Sequence, residues 1–132
     1  MTGRPQTVSV LLFTRHGIPL LKDETKPAPH YWKLPGGKGG PGNETPQGIA
    51  IRKIKEKVGI SLSAGDLTLV QSQDRGDHDF SFFVARPHRE TKPKNRGEGG
   101  EIIELFDPQE ILDIGDLFPN HRSLVQGQLS KR

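Results

Sequence analysis

Apolar residues in this chain come in short runs broken by glycine, proline and charge. Thr7 to Thr14 reads TVSVLLFT, a β-branched and apolar run that predicts a buried strand. Arg15-His16-Gly17 is a turn, and Ile18 to Lys22 is expected to return as the hairpin partner of that strand. Asp23 to His30 reads as a polar loop containing prolines, and Tyr31 to Leu34 as a short apolar segment stopped by Pro35. Gly36 to Asn43 (GGKGGPGN) reads as a loop, since its glycines and proline suit neither a helix nor a central strand.

Thr45-Pro46 is a helix start, a hydroxyl cap followed by proline at the first helical position. The helix is predicted over Pro46 to about Lys57, with Ala50, Ile54 and Val58 on one face and Gly59 closing it. Gly48 costs such a helix about 1 kcal/mol against alanine, which suggests close packing there. Leu67 to Gln73 and Asp79 to Arg86 read as strands around Asp74 to His78, and Pro87 to Gly100 as a long polar loop. Glu101 to Phe106 reads as a strand, Pro108 to Leu112 as a short helix and Pro119 to Leu129 as a C-terminal helix. Strands and helices mixed in this way predict an α+β or α/β sandwich.

The chain has 132 residues, the size of one domain over residues 1–132. Leu, Ile, Val and Phe make up about a quarter of it, above the roughly one fifth below which disorder is the default. With 16 Gly and 11 Pro the chain should hold many turns. The absence of Cys excludes disulfides, zinc-thiolate sites and thiol nucleophiles. No apolar run approaches the roughly 18 residues of a membrane span. Met1 to Gln6 lacks the apolar stretch of a secretory signal. A cytoplasmic location is the expectation. The net charge of +3 favours anionic ligands, but it is too small to indicate a nucleic-acid binder.

Arg52 and Glu56 are i, i+4 on the predicted helix, as are Lys53 and Lys57, so the four form one polar stripe opposite the apolar face. A solvated helix surface is the plain reading. A glycine loop leading to a helix start could also cradle phosphate. The P-loop pattern fails, because Gly37-Lys38 is followed by Gly39. The dinucleotide pattern fails too, because the helix begins several residues late and with a proline.

The segment Trp32 to Ile60 resembles the Nudix box, Gly-x5-Glu-x7-Arg-Glu-U-x-Glu-Glu-x-Gly-U with U apolar. Gly59 and Ile60, Ile54, Glu56, Arg52 and Glu44 take their places at the right spacing. The flanks Trp32-Lys33-Leu34-Pro35-Gly36-Gly37-Lys38 and Glu44-Thr45-Pro46 are similar to the family's lead-in and helix start. The resemblance implies a Nudix α/β/α sandwich, a mixed sheet flanked by helices. It also implies Mg2+- or Mn2+-assisted hydrolysis of a nucleoside diphosphate linked to another moiety. Homodimers are common in the family.

Three positions depart from the pattern: Lys38 stands for the first glycine, Lys53 for the glutamate after the arginine, and Lys57 for the second paired glutamate. Hard divalent ions need oxygen ligands, and an ammonium group is not one. One unit charge about 5 Å from a divalent ion amounts to roughly 6–7 kcal/mol before solvent screening, at an effective dielectric of about 20. Metal binding should therefore be weak or lost. By resemblance, Glu44 and Glu56 are the surviving metal ligands, and Glu98 or Glu101 supplies a replacement base. Arg52, expected to face phosphate with Lys38, could instead pair with Glu56. Gly37, Lys38, Lys53 and Lys57 would contact phosphate, the lysines as point charges. Two readings follow: a weakened or altered pyrophosphohydrolase, and a module that binds a nucleotide or polyphosphate without cleaving it.

The remaining candidates carry less. Tyr31 and Trp32 read as core before they read as base-stacking, and His78 as an exposed loop end before an acid–base group. Arg86, His88, Arg89, Lys92, Lys94 and Arg96 form a basic stretch, a solvated hairpin loop before it is an RNA contact.

Overall fold

The computed structural model describes residues 5–39, 44–88, 93 and 100–129. The strand β1 (Gln6–Leu12) lies inside a four-stranded mixed sheet. It runs parallel to β5 (Asp79–Ala85) and antiparallel to β3 (Gly36–Lys38), and β4 (Leu67–Asp74) closes the far edge on β5. A second, two-stranded sheet pairs β2 (Ile18–Lys22) with β6 (Ile102–Phe106).

The hairpin expected between β1 and β2 does not form. Both edges of β1 are taken by β3 and β5, so after the Thr14–Gly17 bridge the chain leaves the sheet and β2 finds β6. The glycine loop also differs from expectation, since its first three residues are β3. Glycine works there because β3 is an edge strand pressed on β1: a Cβ on Gly36 would lie 2.1 Å from the Val8 carbonyl oxygen. The segment before it is pinned in succession. Leu34 N–H donates to His121 Nδ1, Val10 N–H donates to the Pro35 carbonyl, and Gly36 pairs with Ser9.

The helix α1 (Pro46–Lys57) has the predicted bounds. Thr45 Oγ1 accepts from Gly48 N–H at 3.1 Å, satisfying an orphan amide of the first turn. A Cβ at Gly48 would meet only that hydroxyl, at 3.2 Å, so the glycine reflects the cap and not packing against the sheet. Ala50, Ile54 and Val58 are fully buried, joining Val8, Val10 and Leu12 of β1 and Phe83 of β5 in one core cluster. The other face of the sheet carries a second cluster. There Leu11, Phe80 and Phe82 pack with Trp32, Ile111 of α2 (Pro108–Asp113), and Leu124, Val125 and Leu129 of α3 (Pro119–Leu129). A mixed sheet between helices is thus the architecture. Strand alternation sends Val8 and Val10 toward α1 and leaves Ser9 on the α3 side. Trp32 is a core residue, edge-on to Phe106, while Tyr31 is half-buried against Phe118. No helix among the described residues is long and apolar enough to cross a membrane.

Candidate functional site

The polar stripe of α1 is half-buried instead of solvated, while Lys55, outside it, turns outward to Ser61. Its centre is Arg52. The guanidinium grips Glu44 with two parallel bonds, Nε to Oε2 at 2.8 Å and Nη2 to Oε1 at 2.7 Å, and reaches Glu56 Oε2 from Nη1 at 3.2 Å. A fork on a carboxylate is the strongest ion-pair geometry available to side chains. The hydrogen bond to Glu44, foremost, and that to Glu56 hold the Arg52 proton more firmly than usual. Of the two roles expected of Arg52, the structure shows the pairing with Glu56, extended to Glu44.

Among the described residues Lys53 and Lys57 each meet a single carboxylate, which leaves other donors of each ammonium open. Lys53 Nζ lies 3.7 Å from Glu56 Oε1, and its stem lies over the Cα of Gly37, where a Cβ would come within 2.9 Å of Cε. Lys57 Nζ donates to Glu101 Oε2 at 3.1 Å, joining the end of α1 to the residue before β6. Glu98 lies outside the described residues. So do Arg89, Lys92, Lys94 and Arg96 of the basic stretch. Arg86 covers the Phe13 ring and His88 meets Asp66.

Beside this stripe opens a cleft of about 530 Å³. It is lined by Gly36, Gly37, Lys38, Lys57 and Glu101, and by Thr7, Ser9, Lys33, Arg75, Phe80, Phe118 and His121. Its lining holds five permanent cations (Lys26, Lys33, Lys38, Lys57 and Arg75) against two carboxylates, Asp23 and Glu101. Such a cleft attracts anions. His78 also lines it, with Nδ1 at 2.7 Å from Asp77 Oδ1.

His121 adds no charge to this lining. Burial, then the nearby charges of Lys33 and Arg75, push its pKa down to about 4. Leu34 N–H donates to Nδ1 at 3.1 Å, so the hydrogen of the neutral ring sits on Nε2, which faces Ser9 Oγ at 3.4 Å. In that tautomer Nε2 gives a hydrogen to Ser9 and cannot remove one, so the pair is no nucleophile–base dyad.

A family model, the NUDIX domain, matches residues 3–128. The chain belongs to the Nudix family. The fold is similar to a MutT structure described from Aliivibrio salmonicida and Vibrio cholerae, at 20% identity and a TM-score of 0.77, covering 98% of this chain and 100% of that one. MutT of Bacillus halodurans aligns at 18% identity and a TM-score of 0.73, over 95% of this chain and 82% of the other. A structure named as an ADP compounds hydrolase gives 14% identity and a TM-score of 0.73, over 98% and 72%. No curated protein matches the sequence.

Nudix hydrolases generally use divalent metal ions. Among the described residues the donor set does not fit one. Glu44 is clasped by Arg52, Glu56 stands between Arg52 and Lys53, and Glu101 is held by Lys57. A divalent ion on these carboxylates would sit among three side-chain cations. Among the described residues no three of His, Cys, Asp and Glu converge as a metal site. Arg52, Lys53 and Lys57 of the Nudix box thus hold these three carboxylates.

Ser9, Lys33, Arg75 and His121 escaped the sequence reading as site residues. They come from β1, the loop before β3, the β4–β5 turn and α3, which share no local motif. One signal was present: Ser9 is a polar residue in the middle of an apolar strand.

Proposed function

We propose that this Nudix domain takes a nucleoside diphosphate linked to another moiety, holds the pyrophosphate on Lys38, Lys53 and Lys57, and hydrolyses it only weakly. The observation that carries this reading is that Lys38 and Lys57 line a cleft in which cations outnumber carboxylates, with the Lys53 stem lying over Gly37 of the same lining. Amines occupy box positions where the family pattern has acids, and an ammonium is a compact charge with three donors for phosphate oxygens. The ligand class is supported by the excess of cations along the cleft and by the likeness in fold to the ADP compounds hydrolase. In the reaction, a water oxygen attacks one phosphorus and the bridging P–O bond breaks. The products are a nucleoside monophosphate and a phosphorylated remainder. Without a well-held metal the developing charge is less stabilised and the attacking water is not acidified, so slow turnover follows.

Binding without cleavage is the second reading. It is favoured by the grip of Arg52 on both Glu44 and Glu56, which leaves those carboxylates engaged by the chain itself.

The test is titration of the full chain with ADP-ribose, with EDTA and with Mg2+ or Mn2+, alongside a product assay. Expected are binding that survives EDTA, turnover far below that of a Nudix protein with an intact box, and binding at least about tenfold weaker in Lys53→Gln/Lys57→Gln. Binding that requires the metal, with fast turnover abolished by Glu56→Gln, would overturn the proposal. Binding in EDTA with no product at any metal concentration selects the second reading.

A further inference from the structure

Besides Lys57 of α1, the cleft lining holds a second group of charges. Lys33 Nζ stands over the Phe118 ring, 4.7 Å from its centroid, and the Arg75 guanidinium over Phe80 at 3.9 Å. The two rings face the same cleft. Aromatic faces hold cations in place by electrostatic attraction. They are covered by these cations, so this part of the lining offers no open aromatic face for a base to stack on. Among the described residues neither Lys33 nor Arg75 has a carboxylate within ion-pair distance. The two acids of the cleft are engaged elsewhere: Asp23 accepts from Thr25 within its own turn, and Glu101 is with Lys57.

The same cleft is lined by buried polar groups. Ser9 is 5% exposed and sits against His121. The neutral ring gives its Nε2 hydrogen to Ser9 Oγ, so the Ser9 hydroxyl hydrogen can turn to an acceptor in the cleft. This wall offers two cations and a hydroxyl donor, and keeps its histidine uncharged.

Building on the ligand class proposed above, we infer that Lys33, Arg75 and Ser9 form a second anion subsite, which takes a further phosphate group carried by the nucleoside diphosphate derivative away from its pyrophosphate. The ligand is thus anionic at two places. A neutral sugar beyond the pyrophosphate leaves this subsite unmatched.

Matched ligand pairs differing by one remote phosphate test the inference: ADP with adenosine 3′-phosphate 5′-diphosphate, and ADP-glucose with its 6-phosphate. Calorimetry on the full chain in EDTA should give at least one pair in which the extra phosphate tightens binding about tenfold or more. That ratio should fall to near one in Lys33→Gln/Arg75→Gln and persist in Lys33→Arg/Arg75→Lys. The ratio is internal to each protein, so a folding defect would show as loss of ADP itself. A wild-type ratio near one in both pairs, or a ratio that survives removal of both cations, would overturn the subsite. Failure of the wild-type chain to bind any of the four would instead overturn the proposed ligand class, and the subsite with it.

Discussion

Lys57 Nζ lies 3.1 Å from Glu101 Oε2, so a cation of the Nudix box helix is bound to the carboxylate that precedes β6. With Lys53 against Glu56 one turn earlier, the row of acids expected of this helix is replaced by a row of internal ion pairs.

Reversing the two amines should recover a metal site. Lys53→Glu with Lys57→Glu would set four carboxylates, including Glu56 and Glu101, along one side of α1, the oxygen-rich set that Mn2+ and Mg2+ require. The double variant should bind Mn2+ at least about tenfold more tightly by calorimetry. It should also melt at a lower temperature without metal, since like charges then face each other. An unchanged Mn2+ affinity would refute this account of the lysines.

Arg52 should be irreplaceable by lysine. Lys has no fork to hold Glu44 through two bonds while reaching Glu56. The Arg52 side chain is 35% exposed and Glu44 28%, so solvent screens part of the interaction. Arg52→Lys is expected to cost about 1 kcal/mol in urea denaturation. A loss within about 0.3 kcal/mol would mean that the fork contributes little.

Two adjacent glycines should respond differently to alanine. At Gly36 the new methyl would meet the β1 backbone, with the Val8 carbonyl oxygen at 2.1 Å and Ser9 Cα at 2.9 Å. At Gly37 it would meet the Lys53 side chain, whose Cε at 2.9 Å can swing away. Both residues hold a positive φ, so both variants carry backbone strain. Gly36→Ala should separate β3 from β1 and cost about 3 kcal/mol or more, whereas Gly37→Ala costs less and chiefly perturbs ligand binding through Lys53. Equal melting temperatures for the two would contradict this.

Stability should fall on acidification through His121. Its pKa is about 4 in the fold against an ordinary 6.5, so the unfolded chain binds the extra proton between those values. The contribution is complete above pH 6.5 and is lost as the pH falls toward 4. Its ceiling is about 3 kcal/mol. Asn at this position keeps an acceptor for Leu34 N–H and has no titration. Urea midpoints of His121→Asn should therefore fall less than those of the wild type over that range. Parallel curves would rule out His121 as the source.

The helices were legible because their signals are local. Thr45-Pro46 and Gly59 bracket α1, and Pro119 opens α3, so both kept their predicted bounds. Strand partnership was not, since it depends on which edge is vacant: a turn at Arg15-His16-Gly17 suits a hairpin, but β1 has no edge left for β2. The box half of the site was readable because its residues sit within one loop and one helix. The pairing of Lys57 with Glu101, 44 positions apart, was not. The Ser9–His121 wall was out of reach for the same reason, its members being 112 positions apart and joined only by packing.

The succession of anchors on Leu34, Pro35 and Gly36 fastens one strip of the cleft lining. Lys33 stands at one end of this fastened segment and Lys38 at the other, five residues along. An extended chain of that length spans no more than about 18 Å. The spacing of the two Cα atoms is thereby set by backbone anchors, one of them the His121 ring, and the reach of each lysine starts from a fixed point.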